Sequence, residues 1–138
     1  MGLTAEISKW IKAQVEAAGA KGVVIGLSGG LDSSVVAALS KKALGERVLG
    51  LIMPCQSNPL DEEYALLIAS QLKVRTERVS LDAIYLKLLE ILPPGQPLAL
   101  ANLKPRLRML AMYYFANNLD YLVAGCGNKS EIMTGYFT

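Results

Sequence analysis

The chain has 138 residues, 52% of them hydrophobic and 19% charged, with a formal net charge of +2, which fits one globular domain and excludes a disordered chain. So small a charge gives no sign of a nucleic-acid-binding surface, and the lack of histidine excludes Ser-His-Asp schemes, Cys-His schemes and the usual zinc sites. No apolar run reaches the ~18 residues that span a bilayer, and the N-terminus lacks the apolar core of a signal peptide. We therefore expect a cytoplasmic protein with no membrane and no nucleic-acid partner.

Predicted strands and helices alternate along the chain. In order they are a helix over about 3–15, strand one over 22–25, a helix ending near 45, strand two over 48–52, a helix over about 61–72, strand three over about 75–79, a helix over about 81–91, a helix over about 99–117 and strand four over 121–124. This alternation predicts an α/β fold, a Rossmann-like doubly wound parallel sheet with helices on both faces. The strand order 3-2-1-4 places the switch point, where ligands bind in such sheets, between strands one and four.

The loop after strand one is the most informative segment. It reads Gly-Leu-Ser-Gly-Gly-Leu-Asp-Ser-Ser over residues 26–34 and opens a helix. Glycines let the backbone approach a ligand, and the first N–H groups of the helix point at it, so the segment predicts an anion site. No lysine lies between residues 22 and 40, which excludes a Walker loop. Ser28 and Leu31 stand where the dinucleotide fingerprint requires glycine.

A carboxylate inside this loop needs an explanation, because Asp32 alone would repel a phosphate. A magnesium ion that binds both the carboxylate and the phosphate oxygens removes the conflict. Alternatively, Asp32 or Ser33 only caps the helix. Glu131 follows strand four and a second glycine-rich turn, so it could meet the same ion or could simply begin a helix.

The helix over 99–117 is apolar on two sides. Pro105 must lie in or near its first turn, since proline deeper inside would break it. The first stripe contains Leu107, Leu110, Ala111 and Tyr114, and the second contains Met109, Met112, Tyr113 and Ala116. One stripe can face the sheet, and the other suggests a partner chain, although neighbouring helices could cover both in a larger fold.

Three ordered motifs carry a family resemblance. They are Ser-Gly-Gly-x-Asp-Ser at 28–33, Asn-x-Lys-x-Arg-x-Arg-Met at 102–109, and Gly-x-Gly-Asn-Lys-Ser-Glu-x-x-x-Gly-Tyr-Phe-Thr at 125–138. The first resembles the pyrophosphate loop of the ATP pyrophosphatases, and the three together resemble ammonia-dependent NAD synthetase. The resemblance implies a ligase that amidates deamido-NAD to NAD with ATP and ammonia. The reaction would pass through an adenylate, release AMP and pyrophosphate, and use no protein nucleophile.

The resemblance also implies roles for individual residues. The ATP phosphates would lie on Gly26, Leu27, Ser28, Gly29, Gly30, Leu31, Asp32 and Ser33. Asp32 and Glu131 would hold Mg²⁺, and Arg106 would contact deamido-NAD. Cys126 stands where the family usually has a threonine that contacts ATP, and a thiol is a weaker hydrogen-bonding group than a hydroxyl. The resemblance also implies a homodimer, with the helix over 99–117 at its interface.

The family continues beyond Gly-Tyr-Phe-Thr, so we expect residues 1–138 to form a single, C-terminally incomplete synthetase domain whose fifth strand is missing. In isolation it should bind ATP weakly and turn over poorly or not at all. Two alternatives remain open, a tRNA-modifying or sulfur-transferring ATP pyrophosphatase and a truncated nucleotide-binding module without turnover. The modest charge and the isolated cysteines Cys55 and Cys126 argue against the first.

Overall fold

The structure, a computed structural model, describes residues 2–125. Its elements are α1 (Leu3–Ala17), β1 (Gly22–Gly26), α2 (Leu31–Leu44), β2 (Val48–Ile52), α3 (Pro59–Leu72), β3 (Arg75–Arg78), α4 (Asp82–Ile91), α5 (Pro97–Ala101), α6 (Leu103–Leu119) and β4 (Tyr121–Ala124). None of the helices in this part of the chain is both long and apolar enough to cross a bilayer.

The four strands form one parallel sheet in the order β3-β2-β1-β4, which confirms the predicted fold and topology. In the central pairing, Val24 of β1 is opposite Leu49 of β2 and Val123 of β4. Strands β1 and β2 are buried almost throughout, as expected for parallel strands covered on both faces. The expectation that a fifth strand is missing concerns residues outside the described range.

Alternate residues of β1 divide the core into two layers. Val23 and Ile25 pack among α1, α2 and α3, whereas Val24 packs among α4 and α6. The connections β1-α2-β2 and β2-α3-β3 run in one direction along the sheet, and the connection through α4, α5 and α6 returns past β1 to β4. Since parallel crossovers are right-handed, reversing the direction moves the helices to the opposite face.

The predicted helix over 99–117 is two helices, α5 and α6, which meet at Asn102. Proline has no N–H to donate to the carbonyl four residues earlier, and its ring clashes with that carbonyl in a continuous helix. Pro105 therefore lies in the first turn of α6, as predicted, and α5 ends at Ala101.

The two predicted apolar stripes of this helix do not correspond to a buried and an exposed face. Leu107 and Ala116, one from each stripe, are buried against the sheet. Leu110 and Tyr114 of the first stripe are 70% and 68% exposed, and Tyr113 of the second is also exposed. The stripe assignment was wrong because the helix turns its Leu107–Ala116 side, rather than either complete stripe, toward β1 and β4.

Candidate functional site

The loop between β1 and α2 has the conformation of an anion-binding helix start. Gly30 is the N-cap of α2, with an extended backbone (φ −87°, ψ 171°) and no side-chain hydrogen bond that caps the helix. The alternative that Asp32 or Ser33 is the capping residue is therefore wrong. A helix start without a side-chain cap leaves its first N–H groups to a ligand or to water, and its dipole favours an anion.

Two serine hydroxyls hold this loop in shape. Ser33 Oγ accepts a hydrogen bond from the Ser28 N–H at 3.2 Å and lies 3.1 Å from Ser28 Oγ. Ser28 Oγ in turn accepts from the Gly30 N–H at 3.2 Å. Ser33 is only 3% exposed, so its hydroxyl forms these hydrogen bonds on the buried side of the loop. The loop is thus preformed, and the Ser33 hydroxyl supports its backbone.

Gly29 lets the loop approach the start of α3. Its φ of +83° lies in the region that side chains rarely adopt. A Cβ on Gly29 would lie 2.5 Å from the carbonyl oxygen of Asp61 and 3.2 Å from Cβ of Tyr64. Both the backbone angle and the close contact therefore require glycine here.

Asp32 is exposed in the first turn of α2 and lines a small pocket with Gly26, Ser28, Gly30, Leu31 and Ser33. Within residues 2–125, no group of three or more His, Cys, Asp or Glu side chains could hold a metal ion. A magnesium site does not need one, because Mg²⁺ is usually held by one or two carboxylates together with substrate phosphates. Asp32 therefore fits one ligand of a Mg²⁺–phosphate site. The other predicted ligand, Glu131, and the predicted ATP contact Cys126 lie outside the described residues.

A cavity of about 930 Å³ opens at the carboxyl ends of β1, β2 and β4. The β1–α2 loop and residues 123–125 line it at the predicted switch point, and the loop between β2 and α3 forms another wall. Its volume is within the usual range for ligand sites, which is about 300–1,000 Å³. The cavity therefore lies at the predicted switch point.

Charged side chains of both signs line this cavity: Asp61, Glu62, Arg78, Asp82, Lys104 and Arg108. Arg78 donates to both carboxylate oxygens of Glu62, at 2.6 and 3.3 Å. This hydrogen bond, with the positive charge of Arg78, lowers the pKa of Glu62. The backbone N–H of Gln56 donates to Asp82 and is the main reason that the pKa of Asp82 is lowered.

Arg106, the predicted substrate contact, is exposed and does not line the cavity. Instead Lys104 and Arg108 do, and Lys104 Nζ lies 5.3 Å from the ring centroid of Tyr85. Neither residue was predicted from the sequence as part of the site. Their signal was the spacing of four, which places Lys104 and Arg108 on one face of a helix and Arg106 on another.

Cys55 is completely buried in the loop after β2. Burial is the main reason that the pKa of its thiol is raised. The thiolate is the reactive form of cysteine, so this thiol is unsuited to nucleophilic attack. Cys55 therefore gives no support to the sulfur-transferring alternative.

The NAD synthase family model matches residues 3–138. The chain belongs to the NAD synthase family. NH(3)-dependent NAD(+) synthetase of Carboxydothermus hydrogenoformans is 51% identical and that of Finegoldia magna 48% identical, with 98% and 99% of this chain covered. The matches cover 58% and 57% of those relatives, so the chain spans less than three fifths of their length.

Solved structures agree with the fold. NH3-dependent NAD synthetase from Campylobacter jejuni, in complex with the nitrate ion, matches 98% of this chain and 59% of that chain, with a TM-score of 0.87 and 35% identity. NMN synthetase from Francisella tularensis matches 98% of this chain and 57% of that chain, with a TM-score of 0.84 and 31% identity. The predicted resemblance to the NAD synthetases is confirmed, and membership of this family argues against the tRNA-modifying alternative.

Proposed function

We propose that this chain forms the nucleotide-binding part of a ligase that converts deamido-NAD to NAD with ATP and ammonia. The supporting observation is the preformed anion loop at the mouth of a nucleotide-sized cavity, in a family whose matched curated relatives are NH3-dependent NAD(+) synthetases. Because its proposed co-substrate is ATP, we place the enzyme in the cytoplasm, as expected from the sequence.

The proposed chemistry has two steps. The nicotinate carboxylate attacks the α-phosphorus of ATP, and the bond to the β-phosphate oxygen breaks to release pyrophosphate. Ammonia then attacks the acyl carbon of the adenylate, AMP leaves, and the nitrogen loses a proton to become the amide. Neither step needs a protein nucleophile, which agrees with a chain that has no histidine and a buried, protonated Cys55.

The β1–α2 loop has the main role in the first step. Its backbone N–H groups would hold the phosphates and stabilise the charge that develops on the leaving pyrophosphate. Asp32, with Glu131, would hold Mg²⁺, which neutralises phosphate charge when bound. Cys126 would contact ATP from the turn after β4, more weakly than a hydroxyl does.

The acceptor and the nitrogen source vary among proteins of this fold. The matched solved structures include NMN synthetase and a glutamine-dependent NAD+ synthetase, at 31% and 29% identity. Relatives at 51% and 48% identity are NH3-dependent NAD(+) synthetases, which favours deamido-NAD and free ammonia for this chain.

We place Arg106 against deamido-NAD at an interface between two copies of the chain. Arg106 is exposed and lies outside the cavity of its own chain, so it can reach a substrate only from the outer surface of α6. The exposed apolar side chains of Leu110 and Tyr114 on the same helix support a homodimer through α6.

The function is tested with deamido-NAD, ammonium and Mg-ATP, scored for AMP and NAD. The polypeptide in the longest form that its gene encodes, referred to below as full-length, should form both products in equal amounts, as should the C. hydrogenoformans relative used as a positive control. The 138-residue chain should bind Mg-ATP weakly and give little product, because it spans 58% of that relative. Binding of Mg-ATP by the full-length protein without AMP formation would instead support the nucleotide-binding module.

Asp32→Asn tests the magnesium role directly. The substitution keeps the size of the side chain and removes its charge. The ratio of the ATP affinities with and without Mg²⁺ should therefore be smaller than in the unsubstituted protein by roughly 10-fold or more. Titration of ATP with and without Mg²⁺ measures this. Asp120→Asn, at the exposed C-cap of α6 beside the amino ends of β1 and β4, is the matched control. An unchanged magnesium effect in Asp32→Asn would eliminate the proposed site.

A further inference from the structure

The loop between β2 and α3, residues 53–58, forms the wall of the cavity that faces α6. Strand-like pairing reaches only its first residues, since β2 ends at Ile52 and the Leu81 N–H donates to the Pro54 carbonyl oxygen at 2.8 Å. Gln56, in the middle of the loop, has a φ of +52°, a conformation that costs energy for a residue with a side chain. The loop keeps this shape only if groups outside it provide contacts.

Arg108 provides two of these contacts from α6. Its Nε donates to the carbonyl oxygen of Met53 at 3.1 Å, and its Nη2 donates to Ser57 Oγ at 3.1 Å. One guanidinium therefore bonds to both ends of the loop. A planar guanidinium can do this because its donors are fixed in a fork, whereas a lysine is a single point donor.

Ser57 connects Arg108 to the backbone at the centre of the loop through hydrogen bonds. Its Oγ also accepts from the Cys55 N–H at 3.1 Å and lies 3.4 Å from the Cys55 carbonyl oxygen. On the other side, the Gln56 N–H donates to Asp82 of α4. The loop is thus held between two helices, and Arg108 is its link to α6.

We propose that Arg108 is a positioning residue, whose guanidinium holds the 53–58 loop at the distance from the β1–α2 loop that ATP requires. The proposal rests on the proposed function, in which the β1–α2 loop holds the ATP phosphates, and adds that the 53–58 loop, as another wall of the same cavity, contacts the nucleotide. Arg108 would then set the affinity for ATP through the loop rather than through its own charge. If Arg108 instead contacted ATP directly through its charge, Arg108→Lys and Ser57→Ala would leave the affinity for ATP unchanged.

Five variants of the full-length polypeptide, including one double variant and one control, separate the two roles. Arg108→Met removes both hydrogen bonds, Arg108→Lys keeps the charge without the fork, and Ser57→Ala removes one acceptor while leaving Arg108 in place. Arg47→Met is the matched control, since Arg47 is exposed before β2 and donates to the Lys21 carbonyl at the amino ends of the strands, away from the cavity. Each variant is measured for the Kd of Mg-ATP, for KM and kcat, and for Tm.

A positioning role predicts a rise of about 10-fold in the KM and Kd for ATP in Arg108→Met, with kcat changed by less than about threefold. Arg108→Lys and Ser57→Ala should each raise both constants by about threefold, and the double variant Arg108→Met/Ser57→Ala should be no worse than Arg108→Met alone. Arg47→Met should match the unsubstituted protein.

Wild-type affinity for ATP in both Ser57→Ala and Arg108→Lys would overturn the proposal and leave Arg108 as a direct charge. If Arg108→Met does not fold, these two variants still decide the question. The proposed function fails separately, when the unsubstituted protein binds Mg-ATP but forms no NAD, and the ratios of Kd among the variants still test the role of Arg108.

Discussion

Gly29 combines a left-handed backbone with a close approach of the β1–α2 loop to α3. Gly29→Ala should destabilise the protein by at least about 2 kcal/mol, because it adds a Cβ 2.5 Å from the Asp61 carbonyl oxygen to the backbone strain. Gly19→Ala is the control, since Gly19 has a φ of +68° but an added Cβ would meet no neighbouring side chain or backbone within 4 Å. This substitution should cost about 1 kcal/mol of folding stability. Urea unfolding measures both, and equal losses would contradict the contact argument.

Individual site residues were predictable where their partners are close in sequence. Ser28 and Ser33 are hydrogen-bonded to each other and lie only five residues apart, so the short loop motif contains the groups that shape the loop. The motif by itself therefore indicated an anion site. Arg108 was missed because its partners, Met53 and Ser57, are 55 and 51 residues away. Only the packing of α6 against the sheet brings these groups together, and nothing in the local pattern encodes that distance.

At the scale of elements, the Glu62–Arg78 pair joins the first turn of α3 to the end of β3. Arg78 lowers the pKa of Glu62 from its ordinary value of 4.5, so the stabilisation is complete above about pH 4.5 and is lost as the pH falls through the lower folded value. Glu62→Gln should therefore show a smaller loss of stability than the unsubstituted protein between pH 6 and pH 3.

Denaturant unfolding at a series of pH values measures this difference. Glu63→Gln, one position further along α3 at an exposed site, is the control and should keep the original pH dependence. Parallel curves for Glu62→Gln and the unsubstituted protein would show that the pair contributes nothing to acid stability.

Strand order was predictable because the alternation of elements and the right-handed crossover rule leave few arrangements. The break between α5 and α6 was not predicted as a break, although Pro105 marked the first turn of α6. The division of this helix into two stripes also did not match its buried side, since a helix that is apolar on several sides does not indicate which side meets the sheet. Burial of Leu107 and Ala116 decides that orientation.

At the scale of the whole molecule, the proposed homodimer makes α6 the interface. Leu110→Glu introduces a charge at a side chain that is 70% exposed in the single chain, so it should convert the dimer to monomer without unfolding either copy. Sedimentation over a range of concentrations measures the change. Leu67→Glu, on exposed α3 across the sheet, should leave the dimer intact. A monomer in the unsubstituted protein would refute the interface.

The cavity takes its walls from both helical layers, because the β1–α2 loop leads into one layer and Arg108 belongs to the other. A nucleotide that contacts both walls links α2 and α6 across the sheet, although these helices belong to separate hydrophobic clusters. Amide hydrogen exchange in both helices should then slow together when ATP binds, since local opening of either layer would first have to release the ligand.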